Sequence, residues 1–392
     1  MIEFAVTFSP GADFAVTFGG EVPLEVDMGQ VMEVLATEER TVELSMPSGN
    51  QVILPTSSKG LRKVTIQKPD TLLSENIKKD VVIGGVTDGL EAPPTGPYIE
   101  YTSLDSSGRV FTAKFRGTIV PEYAFAYLAE LTSVDMPDNV IAIGDNGFYR
   151  CPKLSLTSLP SGITSLGDYA FADCSMLTLT SLPSGITSLG DYVFRDCPRL
   201  SLTSLPSGIT SIGQYAFRNC SKMVLTSLPS GITSIGDFAF LNCYQLSLTA
   251  LPSGITSIGQ YAFNNCPRLA LTTLPSGITS LPTAAFQYCP KLALTALPSG
   301  LTSIGAYAFK QGTGLASITL PPALTTIGNQ AFANCYNLKV CDCTECTAVP
   351  TLGASVFQNA HADFKILVPS ALEEEWKAAA NWSSYASQII GV

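Results

Sequence analysis

Phenylalanine recurs every 23 residues at ten positions: Phe125, Phe148, Phe171, Phe194, Phe217, Phe240, Phe263, Phe286, Phe309 and Phe332. From Phe148 onward cysteine follows three residues later, at Cys151, Cys174, Cys197, Cys220, Cys243, Cys266, Cys289 and Cys335, with Gly312 in the one gap of that run. The phrase between them hardly changes, and TSLPSGITSIGDFAFLNC (Thr226–Cys243) is a typical copy. A period this strict excludes an ordinary globular domain. It selects a repeat array, in which each unit buries its apolar face only against its neighbours.

The unit Leu154–Met176 shows what each position is for. Leu154, Leu156 and Leu159 suit a short strand facing inward, ended by Pro160. Gly162 is expected to supply a positive-φ turn, and Asn139 in the same column tolerates that conformation. Ile163 and Leu166 form a second inward pair. Asp168 is placed to cap one helical turn that carries Phe171 and Cys174 into the core.

The consensus ITSIGDYAF-x-x-C-x-x-L, recurring in register, resembles the BspA-like leucine-rich repeats of bacterial surface proteins from about Tyr98 to the C-terminus. That resemblance implies a right-handed leucine-rich-repeat solenoid, with short parallel strands plus a helical turn in each 23-residue coil. It also implies binding or adhesion rather than catalysis. The expected organisation is a small β-rich attachment domain over 1–92, a linker and N-terminal cap over 93–124, repeats over 125–357, and a C-terminal cap over 358–392. The capping segments are YIEYTSLDSSGRVFTAKFRG, a hairpin turned at Asp105–Gly108, and FKILVPSALEEEWKAAANW, a strand and then a helix. In the latter, Ser370 and Glu373 have capping-box spacing and Trp376 can plug the open core.

Residues 1–92 follow a different pattern. FAVTF occurs at Phe4–Phe8 and again at Phe14–Phe18, which predicts a hairpin. Strand-like runs follow at Thr41–Met46, Gln51–Leu54, Lys63–Gln67 and Asp80–Ile83, and Asp88–Pro97 reads as a linker. The run from Gly60 to Leu90 resembles a segment of tail-associated proteins of bacteriophages and prophages. This implies assembly into a virion through residues 1–92. The start, MIEFAVTFSPGAD, lacks the basic and apolar regions of a secretory signal. The expected location is therefore outside the cell, on a bacterial surface or a virion released by lysis.

Charge narrows the partners. The net charge is −10, yet Arg150–Lys339 carries ten Lys/Arg against five Asp/Glu. An acidic total argues against nucleic acid as a partner, and no apolar run is long enough to insert into a membrane. No catalytic residue set is expected: His361 is the only histidine, and Glu373, Glu374 and Glu375 favour a helix N-terminus. Neither a cofactor nor a metal is expected. Buried cysteine is a small filler, and a 23-residue spacing fits no zinc motif. Cys341, Cys343 and Cys346 form C-x-C-x-x-C, but Cys343 falls in a leucine column.

Three columns are candidates for a binding face. Tyr169, Tyr192, Tyr215, Phe238 and Tyr261, with Tyr307 further on, form an aromatic column suited to stacking on sugars. Lys153, Arg199, Lys222, Arg268 and Lys291 form a basic column suited to an anionic polymer, and Arg195, Arg218 and Lys310 are expected close by. Thr157, Thr180, Thr203, Thr226, Thr249, Thr272 and Thr295 form a third column, fitting exposed strand positions. These columns predict a non-enzymatic scaffold that recognises a cell-surface polysaccharide or protein. The rival is a structural spacer with no ligand of its own.

Overall fold

The computed structural model describes residues 98–104 and 110–392, together with four short strands upstream, Phe14–Thr17, Val42–Ser45, Val64–Gln67 and Val81–Val82. Its contacts divide the chain into two units, one of Met1–Val120 with Leu128–Val140, the other of Pro121–Tyr127 with Ile141–Val392.

In the first unit Phe14–Thr17 pairs in parallel with Val42–Ser45, and that strand with Val64–Gln67, which meets Val81–Val82 antiparallel. Phe4–Phe8, the other arm of the expected hairpin, lies outside the described residues, as do Gln51–Leu54, Asp88–Pro97 and the Asp105–Gly108 turn. Tyr98–Leu104 and Val110–Arg116 pair antiparallel, and Val110–Arg116 adds Ser133–Asp135 in parallel. Ala113, Phe115, Leu131 and Val134 are buried there, and Arg116 meets Asp135 at 2.9 Å.

The second unit is a parallel β-solenoid of coils about 23 residues long. Its core is a ladder of identical residues. Phe125 through Phe332 stack ring on ring at centroid distances of 4.8–5.8 Å, and Phe357 adds a rung at 5.6 Å. That rung comes 25 residues after Phe332 because the preceding coil takes in two extra residues, which hid it from the 23-residue period. Leu, Ile and Cys columns complete the buried interior.

Strand pairing lies elsewhere than the leucine alternation predicts. Two-residue strands sit on the Ser–Ile or Ser–Leu positions, such as Ser211–Ile212, Ser234–Ile235 and Ser257–Ile258, stacked in exact register. The L-x-L segment pairs as strand only at the two ends of the array, at Ser133–Asp135 in the first coil and at Ser317–Thr319, Val340–Asp342 and Lys365–Val368 in the last ones, where the C-terminal Ile389–Gly391 adds a final strand. Glycine at the corner after the Ser–Ile pair explains the preference. A Cβ on Gly236 would lie 2.5 Å from Gln214 N and 2.6 Å from Gly213 C. Only a residue without a side chain lets the two backbones approach that closely.

The stretch after that glycine is a run of tight turns that ties neighbouring coils together. In one coil, Ala216, Arg218 and Cys220 donate their N–H groups to Gly213, Tyr215 and Phe217 of the same coil. The alternate residues Tyr215, Phe217 and Asn219 donate to Asp237, Ala239 and Leu241 of the next coil at 2.7–2.8 Å. Two positions per coil are left-handed, the aromatic column (Tyr215, φ 55°) and the Asp/Asn column (Asn219, φ 60°). The expectation of positive φ at the glycine column is corrected: Gly185, Gly208, Gly231, Gly254 and Gly277 are not left-handed, and neither is Asn139. Asp168 does not cap its own coil either. Its Oδ1 accepts the N–H of Asp191 in the next one at 2.8 Å.

At the C-terminal end Trp376 and Trp382 are fully buried and meet edge to face at 4.5 Å. Trp382 Nε1 donates to Pro350 O at 2.7 Å. The capping box does not form. Ser370 Oγ donates to Val392 O at 2.8 Å, and Glu373 pairs with Lys377 at 2.7 Å.

Candidate functional site

The cysteine column has one hydrogen-bonding duty repeated along the stack. Each thiol donates to the carbonyl of the phenylalanine one coil earlier, as Cys220 does to Phe194 and Cys243 to Phe217, both at 3.1 Å. Burial raises the thiols from Cys174 onward, Cys289 and Cys335 to about 12. They are free thiols packed as core. Cys341, Cys343 and Cys346 are also buried, with the Cys341 and Cys343 sulfurs 3.7 Å apart. Among the described residues no group of three or more His, Cys, Asp or Glu side chains is arranged to hold a metal ion. His361 Nδ1 accepts the Asp363 N–H at 3.0 Å in a turn.

The aromatic column is a continuous stack. Tyr169, Tyr192, Tyr215, Phe238 and Tyr261 follow one another at 4.3–4.8 Å with ring planes within 4–11° of parallel. The rings are half-buried. Their faces cover one another, so edges and hydroxyls reach solvent rather than open faces. Burial, then the neighbouring tyrosine, pushes the Tyr192 and Tyr215 hydroxyls above the usual phenol range. The stack ends at Tyr261, because Ala284 takes the next position before Tyr307.

The cations divide into two groups. Lys153, Arg199, Lys222, Arg268 and Lys291 are all exposed in one column. Among the described residues no ion pair involves Arg199, Lys222, Arg268 or Lys291. Arg195, Arg218 and Lys310, expected beside that column, instead lie over the aromatic one. Arg195 sits 5.9 Å from the Tyr169 centroid and 5.7 Å from Tyr192, Arg218 5.7 Å from Tyr215, and Lys310 5.1 Å from Tyr307. Arg195 also meets both carboxylate oxygens of Asp173 at 3.1 Å. Sequence reading missed the amide ladder beside them, in which Asn219 donates to Asp196, Asn242 to Asn219 and Asn265 to Asn242. Its signal was the column of Asp and Asn just before six of the repeat cysteines, Asp173, Asp196, Asn219, Asn242, Asn265 and Asn334.

Thr157, Thr180, Thr203, Thr226, Thr249, Thr272 and Thr295 are exposed as expected. The threonines that complete the sheet are others: Thr233 and Thr256 each donate N–H and Oγ1 to the preceding threonine carbonyl.

A stack of short parallel strands with leucine, phenylalanine and cysteine columns defines a leucine-rich-repeat solenoid. The BspA type leucine-rich repeat region, six copies long, matches residues 111–224 and 223–339, more than half of the chain. The chain therefore belongs to the BspA-type leucine-rich repeat family, whose members are generally surface proteins that bind or adhere. Solved structures with a similar fold include a leucine-rich repeat protein from Bacteroides ovatus (23% identity, 74% of this chain and 87% of that one, TM-score 0.51). Another is a leucine rich cell surface protein from Faecalibacterium prausnitzii (23% identity, 73% and 90%, TM-score 0.47). No curated protein matches the chain. Among the described residues no helix is long and apolar enough to cross a membrane.

Proposed function

We propose that the chain is a non-enzymatic recognition scaffold that binds an extended, anionic surface polysaccharide along its solenoid. The observation that carries this reading is the basic column. Lys153, Arg199, Lys222, Arg268 and Lys291 are held at intervals of one or two coils on a backbone fixed by inter-coil hydrogen bonds. Exposed charges contribute roughly 0–1 kcal/mol each. Several on one polymer act together through effective concentration. The stacked column of Tyr169, Tyr192, Tyr215, Phe238 and Tyr261 contributes ring edges and hydroxyls to the same ligand. Residues 1–92 serve as the attachment part, on a bacterial surface or a phage tail.

The test is binding of the purified chain to an array of bacterial wall and capsular polysaccharides, and to polygalacturonate as a defined anionic polymer. Wild type binds, and removing Arg199, Lys222, Arg268 and Lys291 together weakens binding and flattens its salt dependence. A chain that binds no polysaccharide is a spacer or a protein receptor, and either result overturns the reading.

A further inference from the structure

The first coils of the solenoid depart from the stacked pattern. Asn146 takes the column position between Tyr123 and Tyr169, so the ring stack stops at Tyr169. Tyr149 stands edge-on instead, 5.9 Å from Tyr169 at 75° and 5.3 Å from Tyr127 at 78°. Tyr127 is 57% exposed and Tyr123 46%. Tyr127 therefore meets solvent with more of its ring than the half-buried rings of the stack do.

Arg150 completes the group. Its guanidinium lies 5.3 Å from the Tyr149 centroid and 5.9 Å from that of Tyr127. Its Nε is 3.4 Å from Asp173 Oδ2, and its side chain is 57% exposed. The backbone is fixed beneath it. Tyr127 (φ 64°) and Arg150 (φ 56°) are left-handed, and their N–H groups donate to Tyr149 O at 2.7 Å and Ala172 O at 2.9 Å. A ligand here meets a preformed backbone and pays little to order it.

The chemistry fits one kind of group. A pyranose ring offers an apolar C–H face and a rim of hydroxyls. The exposed part of the Tyr127 ring takes the first, and the Arg150 N–H groups with the Asp173 carboxylate, which also holds Arg195, take the second. Arg150, Asp173, Arg195 and Asp196 form one ion-paired group without net charge, so the recognised feature is the sugar ring rather than its anionic substituent. Tyrosine and arginine are also the residue types that carry most binding energy in contact surfaces. We propose that Tyr127, Tyr149 and Arg150 form a subsite for one pyranose unit of the bound polymer. This rests on the polysaccharide reading above and adds to it a defined anchoring point.

Polygalacturonate binding, measured over a range of salt, tests it with Tyr127→Ala, Arg150→Ala and the quadruple variant of the basic column. Tyr127 and Arg150 are exposed, and unchanged circular dichroism checks that each variant folds. Each single variant should weaken binding by about tenfold. Tyr127→Ala should do so with the wild-type salt slope, whereas the quadruple variant flattens that slope. Wild-type affinity in both single variants, with the quadruple variant impaired, overturns the subsite and leaves the scaffold reading standing. If wild type binds neither polygalacturonate nor any polysaccharide of the array, both are overturned.

Discussion

At the residue scale, much of the coil is explained by what stacking a residue on its own copy demands. Phenylalanine and cysteine could be placed in the core from the sequence, because their spacing allowed no other use. The left-handed positions could not. Glycine is the usual flag for positive φ, yet the solenoid gives that conformation to Tyr215 and Asn219 and their column mates. An L-residue in that region costs roughly 1–2 kcal/mol. The N–H groups of these residues offset it by donating to the next coil, and the side chains by stacking or by joining the amide ladder. The other recurring glycine, Gly213 and Gly236 among its column, has a different task, close approach of backbones. Gly236→Ala should therefore destabilise the array by about 2–3 kcal/mol in denaturant melts, since backbone atoms cannot move aside for the new methyl group. A loss below about 0.5 kcal/mol would mean that the coils can separate freely at that corner. The thiols give a pH prediction. The repeat cysteines from Cys174 onward are raised above the free value of 9 by burial, Cys289 and Cys335 to about 12. Unfolded thiols lose protons first, so the stability these groups contribute is full below pH 9 and falls as pH rises toward 12. Each buried thiol should cost roughly 1 kcal/mol per pH unit in that window. Melting followed from pH 8 to 11 checks this, and replacing Cys289 and Cys335 by alanine should reduce the slope.

At the element scale, the repeat Leu292–Gly314 should be the weak coil. Gly312 brings no thiol to the Phe286 carbonyl, where the other coils supply an S–H donor. Glycines in Lys310–Gly314 also add chain entropy to the unfolded state. Amide hydrogen exchange should be faster there than in the coils around Cys220, and uniform protection would show that the missing donor costs little. The strands illustrate why element boundaries were harder to read than element existence. The L-x-L and Ser–Ile segments both alternate apolar with polar residues, and the pattern alone ranks the former higher. The deciding factor is the corner glycine, which brings backbones into pairing distance beside Ser–Ile. In the last coils, where Val340–Asp342 and Lys365–Val368 pair, L-x-L becomes strand as well.

At the scale of the whole solenoid, one set of side chains is copied in register along a fixed lattice of coils, and a ligand that matches it must itself be periodic. The exposed columns were legible in the sequence as variation within a constant phrase. What they present was not, because Arg195 and Arg218 turn onto the tyrosines, away from the basic column, and the stacked rings hide their faces. In the proposed reading the contacts come from the basic column, the edges and hydroxyls of the stacked rings, and the Tyr127 subsite. The most direct test is affinity against ligand length, using oligogalacturonides from two units upward with the purified chain at low salt. Repeated contacts predict an affinity that keeps rising as the ligand grows to span several coils, each added contact contributing a fraction of a kcal/mol. An affinity that reaches its plateau at two or three sugar units would contradict the account, because a single pocket rather than a repeated face would then be doing the binding.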